Sequence, residues 1–364
     1  MRILLLAGEE SGVMYAERIA GALREKRPSA EIRGYGDYGF RTGDLAVMGL
    51  GQVLRRIFYF LGVKRTMERA IDEWKPDVVC TVDYPGLNLK LAAYAKAKGI
   101  RTVHVVCPQV WAWKKGRIPK IEAALDKLCC FFPFEPELFR TGFAEFVGHP
   151  LVDEMQVAAA KERKERKEKV LAVLPGSRLG EIEKHMPTLL EVVATLQSEI
   201  RDLRVVIPAA NDRAYRVIAS RVSSLMSSPD VVEVRHGGAR EALRDADAAV
   251  VASGTATLEA ALAGCPTVLV YKVGWLFAFL ARRFIRGIRH IGLANIIAEK
   301  AGKQCPMTEL LQEDFTAEKV LAVLRPLLEH EEANAIARAL LNETMKLLRS
   351  DGGAIARIAD RVLR

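Results

Sequence analysis

Short apolar runs alternate with amphipathic stretches along almost the whole chain. Runs at residues 2–7, 77–82, 101–107, 128–132 and 145–147 read as strands, and a second series follows at 170–174, 205–208, 231–234, 248–252 and 267–270. Most are apolar at consecutive positions rather than alternate ones, the pattern of strands buried on both faces of a parallel sheet. Between them apolar residues recur at helical spacing, as in 15–23 and 87–98. The order strand, helix, strand therefore predicts an α/β fold with a Rossmann-like, doubly wound parallel sheet in each half. Residues 158–169, Ala-Ala-Ala-Lys-Glu-Arg-Lys-Glu-Arg-Lys-Glu-Lys, break the pattern with mixed charge and no apolar face, as an interdomain linker would. The expected division is a first domain at 1–157, a second at 170–340, and a helical tail at 341–364 that packs back on the first. Doubly wound sheets bind ligands outside the carboxyl ends of their strands, so two of them predict a shared cleft.

The unusual residues do follow strands. In the first half Glu9 follows the first run, Asp83 the second, Gln109 and Trp111 the third, and His149 the last. In the second half Pro175-Gly176-Ser177-Arg178, Asn211 and Ser253-Gly254-Thr255 take the same place. Gly176 lets backbone approach an oxyanion, and Arg178 offers a two-pronged fork to phosphate. Residues 248–270 are the most informative stretch: a buried strand, small residues that expose backbone N–H groups, a helix with Thr255 as the expected N-cap, then Gly264 and Pro266 before the next strand. A helix start of this kind favours phosphate, and Glu259 one turn in can accept from ribose hydroxyls. The two loops together suggest a clamp for a nucleotide diphosphate. Gly34-Tyr35-Gly36-Asp37-Tyr38-Gly39 matches a dinucleotide fingerprint in letters, but no periodic helix follows it.

Composition narrows the partners. The chain has 364 residues, 50% of them hydrophobic, and a formal charge of +9, which favours an anionic partner. The basic residues gather at Arg55, Arg56, Lys64 and Arg65 and again between Trp275 and Arg289, in both places beside large apolar side chains. Nucleic-acid surfaces interleave aromatics with polar residues, so this pattern argues against nucleic acid; it fits either a membrane surface contacted through Phe58, Phe60 and Leu61 or a core helix with a solvated basic edge. The apolar start is too short for a signal peptide and no run is long enough to span a bilayer, which predicts a cytoplasmic protein. Six cysteines without paired metal spacing read as reduced core residues; neither a metal nor a cofactor is expected.

Taken in order, Gly8-Glu9-x-Ser11-Gly12, Val82-Asp83-Tyr84-Pro85-Gly86-Leu87-Asn88, Pro108-x-Val110-Trp111-Ala112-Trp113, Phe132-Pro133-Phe134-Glu135, Gly148-His149-Pro150-Leu151, Leu174-Pro175-Gly176-Ser177-Arg178-x-x-Glu181-Ile182, Ser253-Gly254-Thr255-x-Thr257-Leu258-Glu259 and Asn295-Ile296-Ile297 resemble the lipid-A-disaccharide synthase family across almost the whole chain. The resemblance implies a GT-B glycosyltransferase with two Rossmann-like domains facing a cleft. It implies transfer of 2,3-diacylglucosamine from a UDP-sugar donor to an acylated sugar phosphate acceptor, at the cytoplasmic face of the inner membrane. It adds Asn295 to the donor side, and Ser11, Gln109, Trp111 and His149 to the acceptor side or cleft. The chain departs from the family at Val13, where an aspartate is usual, in a shortened 34–48 region, and at Ala294, where a proline often stands. A homodimer is left open by the sequence.

An inverting transfer needs a base for the acceptor hydroxyl and positive groups or dipoles for the leaving diphosphate. Asp83, at the end of a buried strand where desolvation raises a carboxyl pKa, is the candidate base. Glu9 is the alternative, and Asp83 could instead cap the helix that follows. His149 fits a domain hinge as well as it fits catalysis. The rival function is a UDP-hexosamine epimerase of the same architecture acting on a soluble sugar nucleotide, which would share the donor clamp but not need the apolar basic segments.

Overall fold

The structure, a computed structural model, describes residues 1–8, 10–40, 53–112, 115–159, 168–226, 232–273 and 289–364. Outside these lie Glu9, most of the charged 158–169 segment, Trp113 and nearly all of the second basic apolar segment; the side chain of Phe58 is likewise outside the description. The chain forms two compact units, Met1–Asp153 with Leu348–Arg364, and Glu154–Leu347.

In the first unit the strands β1 (Arg2–Ala7), β2 (Glu31–Arg33), β3 (Val78–Val82), β4 (Arg101–Val105), β5 (Lys127–Cys130) and β6 (Ala144–Phe146) form one parallel sheet in the order β2-β1-β3-β4-β5-β6. Alternate residues explain why both faces are covered. Ile3, Leu5, Val78, Cys80, Val103 and Val105 pack against α1 (Glu10–Lys26) and the last helix of the chain, while Leu4, Leu6 and Val79 pack against α2 (Val53–Trp74) and α3 (Pro85–Ala97). Two shorter helices follow, α4 (Ile118–Ala124) and α5 (Pro150–Ala159), the second of which runs past Asp153, where the first unit's first pass ends. The helix expected at 15–23 runs from Glu10 to Lys26, and within its added N-terminal turn Val13 and Met14 also pack against the core.

In the second unit β7 (Val170–Leu174), β8 (Arg204–Ala209), β9 (Val232–His236), β10 (Ala248–Ala252), β11 (Thr267–Tyr271) and β12 (Thr308–Leu311) give the order β12-β11-β10-β7-β8-β9, again parallel. Helices α6 (Leu179–Glu199), α7 (Asp212–Leu225), α8 (Ala239–Asp245), α9 (Thr255–Leu262), α10 (Leu293–Lys300), α11 (Ala317–Glu329) and α12 (Glu331–Lys346) accompany it. The chain then returns to the first unit as α13 (Ala354–Leu363), whose Ile358, Ala359 and Val362 join the core beside α1. Arg361 fixes α13 by a forked pair to Glu145, 2.7 Å from Nε and 2.6 Å from Nη2, and that pairing holds the Glu145 carboxyl down to about 2. Residue 157 lies inside α5 and residue 340 inside α12; the two units part after Asp153 and after Leu347.

Two strands, β2 and β12, carry no apolar run. Glu-Ile-Arg and Thr-Glu-Leu-Leu are short and only partly apolar, and each lies at the edge of its sheet, where among the described residues one side of the backbone meets no further strand. Among the described residues, no helix is long and apolar enough to cross a membrane.

Candidate functional site

The order of the second sheet reverses between β7 and β10, which are hydrogen-bonded neighbours. Two loops leave the sheet there, and they line a cavity of about 320 Å³ with Gly176, Ser177, Arg178, Ser253, Gly254, Thr255 and Glu259. Gly176 has φ +118°, and a Cβ there would lie 2.9 Å from Glu181 Oε2, so the turn after β7 requires glycine. Arg178 ends that turn at the N-cap of α6 with 62% of its side chain exposed; its Nη1 donates to Glu181 Oε1 at 2.9 Å. In the second loop the N-cap of α9 is Gly254, not the expected Thr255, which is already helical; Thr257 Oγ1 closes the first turn by donating to the Gly254 carbonyl at 2.8 Å. Both loops present helix N-termini with their unpaired N–H groups, the chemistry that attracts phosphate.

His185, which no sequence motif marks, braces this cavity. It lies on the buried face of α6 with Ile182, Met186 and Leu189. Its Nε2 accepts from the Lys272 backbone N–H at 3.0 Å, which places the proton on Nδ1, 2.7 Å from the Pro175 carbonyl. Burial pushes its pKa down and keeps the ring neutral. The loop after β7 is thereby tied to the end of β11. A histidine at an apolar position of an amphipathic helix was the available signal.

Two other expected donor-side residues are engaged elsewhere. Asn211 is the N-cap of α7, its Oδ1 accepting from Ala214 N at 3.0 Å. Asn295 is fully buried; its amide bonds the backbone N–H and carbonyl of Met307 at 3.0 and 2.9 Å and reaches Glu309 at 2.8 Å. It joins α10 to the strand beside it rather than lining the cavity.

The first sheet reverses between β1 and β3. Here the backbone itself is unusual: Asp83, Tyr84 and Val106 have φ of +52°, +48° and +75°. Left-handed backbone in residues other than glycine costs on the order of 1–3 kcal/mol each and persists only where the surroundings impose it. They do. Asp83 N donates to Val105 O at 2.9 Å and Val106 N to Cys129 O at 3.1 Å. Asn88, fully buried, donates to the carbonyls of Asp83 at 2.8 Å and Val82 at 3.2 Å, and its own Oδ1 accepts from Tyr35 OH at 2.6 Å. Gly8 completes the frame, since a Cβ there would lie 2.4 Å from the Tyr84 ring. Asp83 is therefore not the N-cap of α3, a position held by Tyr84.

Asp83 lines a cavity of about 280 Å³ with Val106, Cys107, Gln109, Arg117 and Glu135. It is half-buried, and that burial raises its pKa against the opposing pull of a hydrogen bond from the Tyr84 backbone. Gln109 is exposed at the rim. Trp111 donates from Nε1 to Glu135 Oε1 at 3.3 Å, and Phe132 N to Glu135 Oε2 at 3.1 Å. Burial pushes Glu135 up to about 8. Among the described residues, Cys107, Cys130 and Glu135 form the one group whose atoms, all within 4.8 Å of one another, could hold a metal, but both Glu135 oxygens already accept N–H donors. Ser11 is exposed on α1 and does not line this cavity. His149 lies outside it too, buried against Phe131 and Phe132 with ring centroids at 5.1 and 5.8 Å, its pKa pushed down to about 3 by burial. The backbone around it is bonded to the returning chain, His149 N to Leu348 O at 3.0 Å and Ser350 Oγ to Val147 O at 2.6 Å.

On α2, Leu61 is 43% exposed and Phe60 stacks on Tyr84 with centroids 6.2 Å apart. These residues with Leu87, Lys64 and Lys90 line a groove of about 330 Å³.

Two doubly wound parallel sheets place the protein in the GT-B class. The chain belongs to the lipid-A-disaccharide synthetase family, whose model matches residues 3–355. It is 35% identical over 386 residues to the lipid-A-disaccharide synthase of Myxococcus xanthus, covering 100% of this chain and 97% of that one. It is 37% identical over 364 residues to the synthase of Xylella fastidiosa, with 95% and 93% covered. Among solved structures it resembles the glycosyltransferase of kitacinnamycin (TM-score 0.65, 17% identity, 99% and 97% covered) and the UDP co-structure of MnaA from S. aureus (TM-score 0.64, 14% identity, 99% and 95% covered). A UDP-GlcNAc 2-epimerase from Methanocaldococcus jannaschii, solved with UDP-GlcNAc and UDP, matches with a TM-score of 0.58 at 14% identity over 100% and 99% of the two chains. At such identities these solved structures show the fold alone; the family match favours the transferase over the rival epimerase.

Proposed function

We propose that the protein transfers 2,3-diacylglucosamine from UDP-2,3-diacylglucosamine to 2,3-diacylglucosamine 1-phosphate, giving the β-1,6-linked disaccharide 1-phosphate and UDP. The observation that carries the donor half is the cavity at the reversal point of the second sheet, where two helix-starting loops, Arg178 and Glu259 meet. The loop N–H groups and Arg178 stabilise the leaving diphosphate, and Glu259 accepts from the ribose hydroxyls. The acceptor's hydroxyl oxygen attacks the anomeric carbon, the bond from that carbon to the diphosphate oxygen breaks, and Asp83 takes the hydroxyl proton. Its raised pKa suits this role, since a base works best when its pKa approaches the operating pH. Glu9 remains the second candidate for the proton. Gln109 and Trp111, on the cavity that Asp83 lines or against it, are assigned to the acceptor side.

Both substrates carry acyl chains, so we assign the first unit a peripheral membrane contact at the cytoplasmic face through Phe60 and Leu61, with Lys64 and Lys90 meeting lipid phosphates. The test is direct. Purified protein is incubated with donor and acceptor, and the formation of UDP and disaccharide is followed; turnover requiring both substrates supports the reading, and conversion of the donor without acceptor overturns it.

A further inference from the structure

Glu259 does not stand alone in its cavity. Its Oε1 accepts from Arg240 Nε at 2.8 Å, and Arg240 Nη1 donates to Glu154 Oε2 at 2.7 Å. Both carboxylates are largely covered, with 15% of the Glu259 side chain and 10% of the Glu154 side chain exposed. Arg240 enters this bracket from the first turn of α8, which follows Gly237 and Gly238, both with positive φ; Ala239 and Gly237 line the donor cavity, whereas the Arg240 side chain does not. A guanidinium is planar, so engaging Nε on one side and Nη1 on another fixes the plane as well as the position, which a lysine ammonium does not do. Glu259 by itself has three side-chain torsions to order when it meets a ligand, and ordering them opposes binding.

Resting on the reading of this cavity as a UDP site, we propose that Arg240, held by Glu154, is a positioning residue for ribose recognition. By engaging one oxygen of Glu259 it leaves the other as a fixed acceptor for the ribose hydroxyls. Discrimination for a ribonucleotide then depends on a residue that does not line the donor cavity. A direct contact between Arg240 and the diphosphate predicts something different, a loss shared by every nucleoside diphosphate.

The experiment compares UDP with 2′,3′-dideoxyUDP by calorimetry on the full-length protein. Wild type is expected to prefer UDP by about tenfold or more, the range of a hydrogen bond to a charged group. Arg240→Ala is expected to bring the two affinities to within about twofold by lowering that for UDP while leaving that for the dideoxy analogue unchanged. Arg240→Lys, which keeps the charge but not the fork, is expected to recover less than half of the lost preference in logarithmic terms, and Glu154→Gln to lower the preference part-way; these two keep the test open should Arg240→Ala not fold. An undiminished preference in folded Arg240→Ala or Arg240→Lys overturns the proposal while leaving the donor reading intact, as does an equal loss for both ligands. Wild type that binds neither ligand overturns the donor reading and this inference with it; wild type that binds both equally overturns this inference and the ribose role of Glu259 while leaving the diphosphate clamp in place.

Discussion

Asn88 holds Asp83 from behind: its Nδ2 donates to the Asp83 carbonyl at 2.8 Å, in a turn where Asp83 and Tyr84 are both left-handed. The carboxyl that we assign as the base is thus aimed by a buried amide, itself anchored by Tyr35. Asp83→Asn should abolish turnover with UDP affinity and folding nearly unchanged, because an amide keeps the shape but accepts no proton. Asn88→Ala should lower both turnover and stability, the latter by about 1–3 kcal/mol for the buried groups left unpaired. Steady-state rates and denaturation midpoints check both. Near-normal turnover in Asp83→Asn, with loss in Glu9→Gln, would exchange the roles of the two carboxylates.

Arg178→Ala should weaken UDP binding by roughly 1.5–3 kcal/mol, the worth of a charge-assisted hydrogen bond, without lowering the melting temperature. Stability is spared because the side chain is mostly exposed and its pair with Glu181 is screened by solvent. Calorimetric titration with UDP measures the change; unaltered affinity would remove Arg178 from the donor site.

His104 and His149 are buried, and burial pushes each pKa from the usual 6.5 down to about 3. The unfolded chain therefore binds more protons than the native one below 6.5: the contribution of each neutral ring is complete above that pH and is lost as the pH falls toward 3. Glu135 works the other way, since its raised pKa gives a contribution that is lost as the pH climbs from 4.5 through about 8. Difference measurements separate them. In His149→Phe the steepness of stability against pH between 4 and 6 should fall by up to about 1.4 kcal/mol per pH unit, read from denaturation midpoints. An unchanged slope would mean that the ring is protonated in the native state.

Leu61 lies exposed beside an apolar groove flanked by Lys64 and Lys90. Leu61→Ser together with Phe60→Ser should release the protein from anionic vesicles in a flotation assay while UDP affinity stays the same, since a buried large apolar side chain is worth about 1.5–3 kcal/mol. Leu61→Ser alone should weaken binding part-way and leaves the stack of Phe60 on Tyr84 in place. Undiminished flotation of both variants would put the attachment elsewhere.

The sequence by itself determined the two sheets and the loops that carry the chemistry. Runs such as Val170–Leu174 and Ala248–Ala252 are buried on both faces at every residue, and that demand is written locally, in consecutive apolar side chains. Glycines such as Gly176 were legible for the same reason, because a turn's backbone geometry restricts the residue type at that position. Other features were decided by the tertiary structure. β2 and β12 carry almost no apolar signal and exist because a neighbouring edge supplies their hydrogen bonds. Asn295 is an internal brace rather than a residue of the cavity lining, His185 gains its role from the Lys272 N–H 87 residues away, and Asn88 is anchored by Tyr35 53 residues before it. The strain at Asp83, Tyr84 and Val106 is the clearest case: none of these residue types favours left-handed backbone as glycine does, and Asp83 and Val106 are held by the hydrogen bonds their N–H groups donate to neighbouring strands, with a buried amide on the Asp83 carbonyl. Periodicity records which side chains must leave water; which polar groups then meet depends on contacts between residues far apart in the chain.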